Sequence, residues 1–447
     1  MNALVALLAA LAVAEAPPGA VPVTGGMPAD PPNLRGMPQV VAMSLPEALA
    51  EVDRQNPSLE EARARAAAAL GVVRQAAAPL LPTLQAGGGY FHNNAEAVFL
   101  RPTGPSTFQQ VYIQPLEAWQ ASGALRVPLV VPDAWVSLSA SRDAALAAAA
   151  ASDATRLAVR MALLQAAWTA WAGDEVVAAS ERAVANARSQ AESARRQVKV
   201  GTAAPLTVLQ ADTAATRRES DLLAARSERS RARIAVGVLL GRSDPVIIAM
   251  PPLPGPAVYD IADLSRQALD ARPDLRAQAA VVRSYEKQAS AALWRIAPQI
   301  SASASGTAQT VPYPTGDRQG WRVSVDLTWT LYDGGFRYGK ADQASAQASE
   351  ARASETGTRL QILQEVQNAA RDVEVARQRL TLAQQEKDTA AEAAASARRG
   401  FGEGLTSSLD VLSANEVLFF SEVQVAGAGA RMGGSLAALD RAVGRSP

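Results

Sequence analysis

The chain has 447 residues, and its 43 Lys plus Arg are balanced by 43 Asp plus Glu, for a formal net charge of zero. That balance argues against a nucleic-acid binder, which needs a basic excess. There is no cysteine, and His92 is the single histidine, so the sequence offers no disulfide, no thiolate metal site, no lipidated cysteine and little room for a His-based triad.

Residues 1–16 read as a secretory signal peptide: Leu4 to Val13 is an apolar core, with Ala12-Val13-Ala14 or Ala14-Glu15-Ala16 as the small-x-small cleavage site. Residues 17–42 are rich in proline and glycine and are expected to run extended over a surface. No later stretch offers the ~18–20 uninterrupted apolar residues of a membrane-spanning helix. An exported chain of this kind is periplasmic, secreted or part of a β-barrel.

A first unit covers 43–241. Ser44 and Glu47 form a capping-box pattern that opens a helix, with a break at Asn56-Pro57 and an end near Pro79. Residues 82–131 change to alternation, with strands at Thr83 to Ala86 and Trp119 to Val127 joined by a loop around Arg101 to Gln114. A long helix follows over 133–199, on which Leu157, Met161, Leu164, Trp168 and Trp171 step as a coiled-coil seam. A tip at 200–206 turns the chain into a shorter helix that ends near Leu240, and a Pro-rich linker fills 242–259.

The second unit, 260–443, repeats the plan. Asn56-Pro57 is matched by Arg272-Pro273, and each of those prolines precedes a second one, Pro82 or Pro298, by 25 residues. Strands are expected at Gln299 to Ala308 and Trp321 to Leu331, then a long helix over 335–399 with Ile362, Val366, Ala369, Val373, Ala376, Leu380 and Ala383 on its seam. The tip 400–406 leads to a last helix. Gly201 stands eight residues before Leu209, and Gly404 eight before Leu412. Matched landmarks at equal spacing indicate an internal duplication of helix, β-hairpin, long helix, tip and helix.

The strands alternate sharply. Trp321, Val323, Val325, Leu327, Trp329 and Leu331 interleave with Arg322, Ser324, Asp326, Thr328 and Thr330. About ten such residues suit a tilted membrane-spanning strand, and equally a half-buried soluble sheet. Four strands cannot close a barrel, so in lipid several chains must pool them; three chains give twelve strands, an even number as bacterial barrels require.

The two hairpins, the two long helices, Leu331-Tyr332-Asp333-Gly334-Gly335 and the paired tips together resemble the TolC-type outer-membrane efflux proteins, over roughly 43–443. The resemblance implies a mainly α fold with a β-barrel portion: a homotrimer with a 12-stranded outer-membrane barrel and a long periplasmic α-helical barrel. It implies a passive channel that needs no cofactor and works with a periplasmic adaptor protein and an inner-membrane pump of RND or ABC type, anchored in outer-membrane lipid. On this resemblance Asp410 and Phe401 fall at the pore gate. Gly201, Thr202, Pro205, Leu206, Gly402, Gly404 and Leu405 fall on the adaptor-docking tips. The sequence departs from TolC where Ser413 replaces a second gate aspartate and Thr406 an arginine. In such a barrel Arg126, Arg322 and Asp326 face the lumen, and Trp119, Trp321, Trp329 and Tyr332 form part of an interfacial girdle. The residues also support plainer readings: Asp410 as a solvated helix carboxylate, Phe401 as packing between tip helices, and the whole chain as a non-conducting periplasmic coiled-coil spacer or adaptor.

Overall fold

The computed structural model describes residues 40–445 except 103, 256 and 314. The expected signal peptide and residues 17–39 lie outside the described residues. The chain begins with a short strand, β1 (Val41–Ser44), then α1 (Leu45–Gln55) and α2 (Pro57–Ala77). The Ser44 backbone N–H donates to Glu47 Oε2 at 2.9 Å, one arm of the capping box. Asn56 divides the two helices: its side-chain oxygen accepts from the N–H groups of Ser58 and Leu59, and Pro57 needs no such partner at the first helical position.

Four strands follow, β2 (Thr83–His92), β3 (Ala97–Pro102), β4 (Phe108–Gln114) and β5 (Glu117–Val130). The sequence expectation of a loop at 101–114 is corrected here, because β3 and β4 pair as an antiparallel hairpin of their own. Next come α3 (Pro132–Lys199), α4 (Pro205–Leu239) and β6 (Val246–Ala249). The linker is also corrected: β6 pairs in parallel with β1, residue for residue from Val41 with Val246 to Ser44 with Ala249. The second unit is α5 (Ile261–Ala271), α6 (Pro273–Trp294), β7 (Gln299–Gln309), β8 (Gln319–Thr328), α7 (Phe336–Gly402) and α8 (Ser408–Val443). Strand β8 stops at Thr328 rather than Leu331, because its pairing partner β7 begins at Gln299, next to a proline that has no N–H to offer.

Strands β2, β5, β7 and β8 form one antiparallel sheet in that order. Helices α3 and α7, each about 100 Å long at ~1.5 Å per residue, run from this sheet to the tips. Helix α3 packs against α2 and α6 in its upper part and against α4 and α8 in its lower part, while α7 packs against α6 and α8. Among the described residues, no helix is long and apolar enough to cross a membrane.

The duplication extends to the core. Ala48, Val52, Leu163, Ala167, Ala170, Val236 and Leu240 bury together in the first unit. Their counterparts bury together in the second: Leu264 and Ala268 at an offset of 216, and Val366, Ala370, Val373, Leu439 and Val443 at an offset of 203. All four tip-forming helices also end alike. Gly201, Gly241, Gly404 and Gly444 have φ between +76° and +81°. Each glycine N–H bonds back three residues, and the next N–H bonds back five, as Thr202 does to Gln197 O and Leu405 to Gly400 O. This is the Schellman termination, in which a left-handed residue satisfies the last carbonyls of the helix. Gly241 also lies where a Cβ would meet Gln55 O at 2.6 Å.

Candidate functional sites at the sheet and the tips

The strand register decides which side chains share a face. Thr83 pairs with Arg126, Arg126 with Ser303 and Ser303 with Ser324, a row running across all four strands. Arg322 pairs with Ser305, and Asp326 with Ser301. Because directly opposed residues point the same way, Arg126, Arg322 and Asp326 share one face with a line of serines and threonines. Hydrogen bonds link that face, from Ser303 Oγ to Ser324 Oγ at 2.8 Å and from Ser324 Oγ to Asp326 Oδ2 at 2.9 Å. The opposite face carries Leu84, Trp119, Leu125, Trp321, Val323, Val325 and Leu327, all of them exposed, with Trp321 at 84%. Trp119 and Tyr90 stack there with ring centroids 5.2 Å apart. Trp329 lies past the end of β8, where its ring N–H donates to Ile296 O at 3.1 Å, and Tyr332 is 85% exposed.

At the far end of the long helices the first turn is tight. Gly201 supplies the left-handed residue, and both the N–H and the hydroxyl of Thr202 donate to Gln197 O, at 2.9 and 3.1 Å. Pro205 and Leu206 belong to α4 rather than to the tip, so the tip proper is residues 200–204. The second tip is shifted as well. Helix α7 continues through Gly400, Phe401 and Gly402, and the turn is 403–407. Gly400 acts through close approach: a Cβ there would meet the Thr406 methyl at 2.9 Å, and Thr406 Oγ1 reaches back to Ala397 O at 2.9 Å. Phe401 is half-buried, with its carbonyl accepting from the Gly404 N–H at 3.2 Å; Leu405 is exposed.

Asp410 sits in the first turn of α8. Its Oδ2 accepts from the Ser407 hydroxyl at 2.7 Å and from the Ser407 N–H at 2.9 Å, while the Asp410 N–H donates to Ser407 Oγ at 3.2 Å. The Ser407 hydroxyl, then its N–H, hold the exposed Asp410 carboxyl below its ordinary pKa. The site is therefore a capping box whose carboxylate stays ionised near neutral pH.

Between α4 and α8, over α3, runs a groove of about 750 Å³. Asn186 lines its floor, Leu206 and Leu209 one wall, and Leu409 and Leu412 the other. The four leucines are two pairs of duplicated positions, since each α8 residue follows its α4 counterpart by 203. Glu416 closes one end, reaching Arg217 at 3.7 Å and Arg218 at 3.3 Å; the Arg218 guanidinium lies 4.7 Å from the Phe419 ring centroid. Leu209 and Leu412 are the matched landmarks of the two tips in the sequence, whereas Arg218 and Glu416 carry no sequence signal that points to the groove.

The outer membrane efflux protein family matches residues 48–242 and 264–445, one stretch in each repeat. The chain belongs to that family. Its fold is shared with solved structures. The OprN outer-membrane channel is 20% identical with a TM-score of 0.75, over 90% of this chain and 89% of that one. VceC from Vibrio cholerae is 20% identical with a TM-score of 0.74, over 90% and 96%. CmeC from Campylobacter jejuni is 16% identical with a TM-score of 0.74, over 90% and 85%. No curated protein matches the chain in sequence. As an outer membrane efflux protein it is a transport protein with the two-repeat architecture.

Proposed function

We propose that the protein is the passive outer-membrane channel of a tripartite efflux or type I secretion system. The observation that carries this reading is the four-stranded sheet, with one apolar and one polar face and two unpaired edges, β2 and β8. Bare edges are not tolerated in lipid, and a row of exposed tryptophan and valine is not tolerated in water. Because the strands alternate in direction from β2 to β8, a second copy's β2 meets β8 antiparallel. Three copies then close a 12-stranded barrel. Arg126, Arg322 and Asp326 line its lumen; Trp119, Trp321, Trp329 and Tyr332 meet the membrane and its interfaces.

Below the membrane the helices of the homotrimer form a periplasmic tunnel. The leucine-walled groove, the tips with Gly201, Thr202, Gly404 and Leu405, and the flanking helix ends with Pro205, Leu206 and Gly402 receive the helical hairpin of a periplasmic adaptor. The adaptor couples the channel to an inner-membrane pump of RND or ABC type. Asp410 and Phe401 stand at the tip opening, where three ionised carboxylates favour cations. A periplasmic spacer would leave the exposed apolar sheet face without a role.

The test is single-channel recording of the purified protein in a planar bilayer. Cation-selective channels whose selectivity falls in Asp410→Asn are expected. Channels indifferent to that change would remove the gate role and keep the conduit. A membrane-extracted trimer without channels would point to a sealed tip, and no membrane-extracted trimer at all would favour the spacer.

A further inference from the structure

Midway along the helices, α8 carries four glycines within eight residues, Gly427, Gly429, Gly433 and Gly434. Each one weakens a helix interior relative to alanine, so each calls for a reason. Two reasons lie on one face of the layer. A Cβ on Gly429 would meet the Trp171 ring at 2.8 Å, and one on Gly433 would meet the Trp168 ring at 2.2 Å. The linker residues Met250 to Leu253 line a cavity with those same tryptophans and Gly429, so the linker lies over this face.

Gly427 and Gly434 point elsewhere, roughly 130° round the helix at ~100° per residue. The space a Gly434 side chain would fill is open. Gly427 seats a guanidinium: the nitrogens of Arg431 lie 3.6 and 3.7 Å from where its Cβ would be. Here α3, α7 and α8 enclose a pocket of about 480 Å³, lined among others by Gln165, Thr169, Asp372, Arg379, Arg431 and Ser435. Arg379 and Arg431 are exposed, and among the described residues neither has a carboxylate within ion-pair distance. Asp372 is the one acidic group of the pocket, which leaves its charged side chains at one net positive charge. Two unpaired guanidiniums held on one concavity beside amide and hydroxyl donors form a site suited to an oxyanion, which guanidinium forks bind in bidentate geometry.

We propose that this pocket is an anion-binding station of the tunnel wall, taking carboxylate or phosphate groups of solutes in transit. The assignment rests on the channel reading for its place in the lumen. A linker laid inside a tunnel would block it, so the tryptophan face is the outside and the arginine face the inside. Three copies then set six guanidiniums around the conduit, well above the three Asp410 carboxylates.

Two measurements on the full-length protein test it, with citrate as the probe. Calorimetric titration of the detergent-solubilised protein is expected to show citrate binding that weakens at least tenfold in R379Q/R431Q and partly in R431K. The same binding should persist in R371Q, an exposed arginine outside the pocket. In planar bilayers, citrate is expected to reduce the wild-type current with the same ranking. Absence of citrate binding, or binding equal in wild type and R379Q/R431Q, overturns the proposal. Citrate binding that depends on both arginines in a protein that forms no channels would retain the anion site and remove the channel reading instead.

Discussion

The two repeats close their waists, where the break between the paired short helices meets the end of the return helix, by the same kind of bond, a side chain on a backbone carbonyl, with different chemistry. In the first, Asn56 Nδ2 donates to Leu239 O, the last turn of α4, at 2.7 Å. In the second, the residue at the same place is Arg272, whose Nη1 reaches Ala442 O, the last turn of α8, at 3.4 Å. Arg272 also bonds Asp274, at 2.5 and 3.0 Å, and Glu365 on α7, at 2.5 Å. A neutral amide clasp has become a charged one that ties three helices together. Burial opposes the Arg272 charge, but the Asp274 and Glu365 carboxylates outweigh it and raise its pKa. The return helices differ in the same sense. Where α8 has Gly427, Gly429, Gly433 and Gly434, the matching positions of α4 are Ala224, Arg226, Ser230 and Arg231. Duplication preserved the cores and the turns, while divergence fell on charges and on close approaches.

Breaking the charged clasp is expected to have the largest effect. Arg272→Ala leaves two carboxylates facing a helix end and should lower stability by about 3 kcal/mol, toward the low end for a broken buried pair, because Asp274 and Glu365 are each more than a third exposed. Chemical denaturation measures this, and a loss no larger than that of Asn56→Ala would remove the distinction between the clasps. Gly433→Ala drives a methyl into the Trp168 ring and should cost about 2 kcal/mol, whereas Gly434→Ala meets open space and should stabilise by up to ~1 kcal/mol. Opposite signs in thermal unfolding would sharpen the assignment of the two faces of α8. Asn56→Ala removes a helix cap and one interhelical bond, with an expected loss of about 1 kcal/mol.

The smallest effect belongs to the tips. The folded-state pKa of Asp410 is depressed, so its cap is present above the unfolded carboxyl value near ~4 and is lost as pH falls through the lower folded value. The protection of the 407–412 amides against hydrogen exchange, relative to their intrinsic rates at each pH, should therefore fall in strong acid. The matching first-tip amides, where Thr207 replaces the aspartate, should show no such step.

Most of this architecture was legible because duplication printed its landmarks twice. The seam of α7 reads directly, and Ile362, Val366, Ala369, Val373, Ala376 and Ala383 are all buried. Other features escaped for physical reasons. Ala97–Pro102 does not alternate and ends in proline, so its pairing with β4 left no periodic trace. Strand β6 is four residues among prolines, and its partner lies far away in sequence. Gly400 and Gly402 resemble helix breakers, yet the helix runs through both. The tip groove joins side chains from three helices, and no single segment contains it. The equal spacing of Gly201 to Gly241 and Gly404 to Gly444, 40 residues in each case, was a readable signal that marks all four helix ends.

The parallel pairing of β1 with β6 has a consequence for biogenesis. Val41 waits for Val246, so the first waist cannot close until 205 further residues have been made. Bringing together such distant segments carries an entropic penalty that local helix formation does not. Until then the core around α1 lacks Val246 and Ile248, which complete it. The linker between the repeats thus times the maturation of the first, sealing it just as the second begins to emerge.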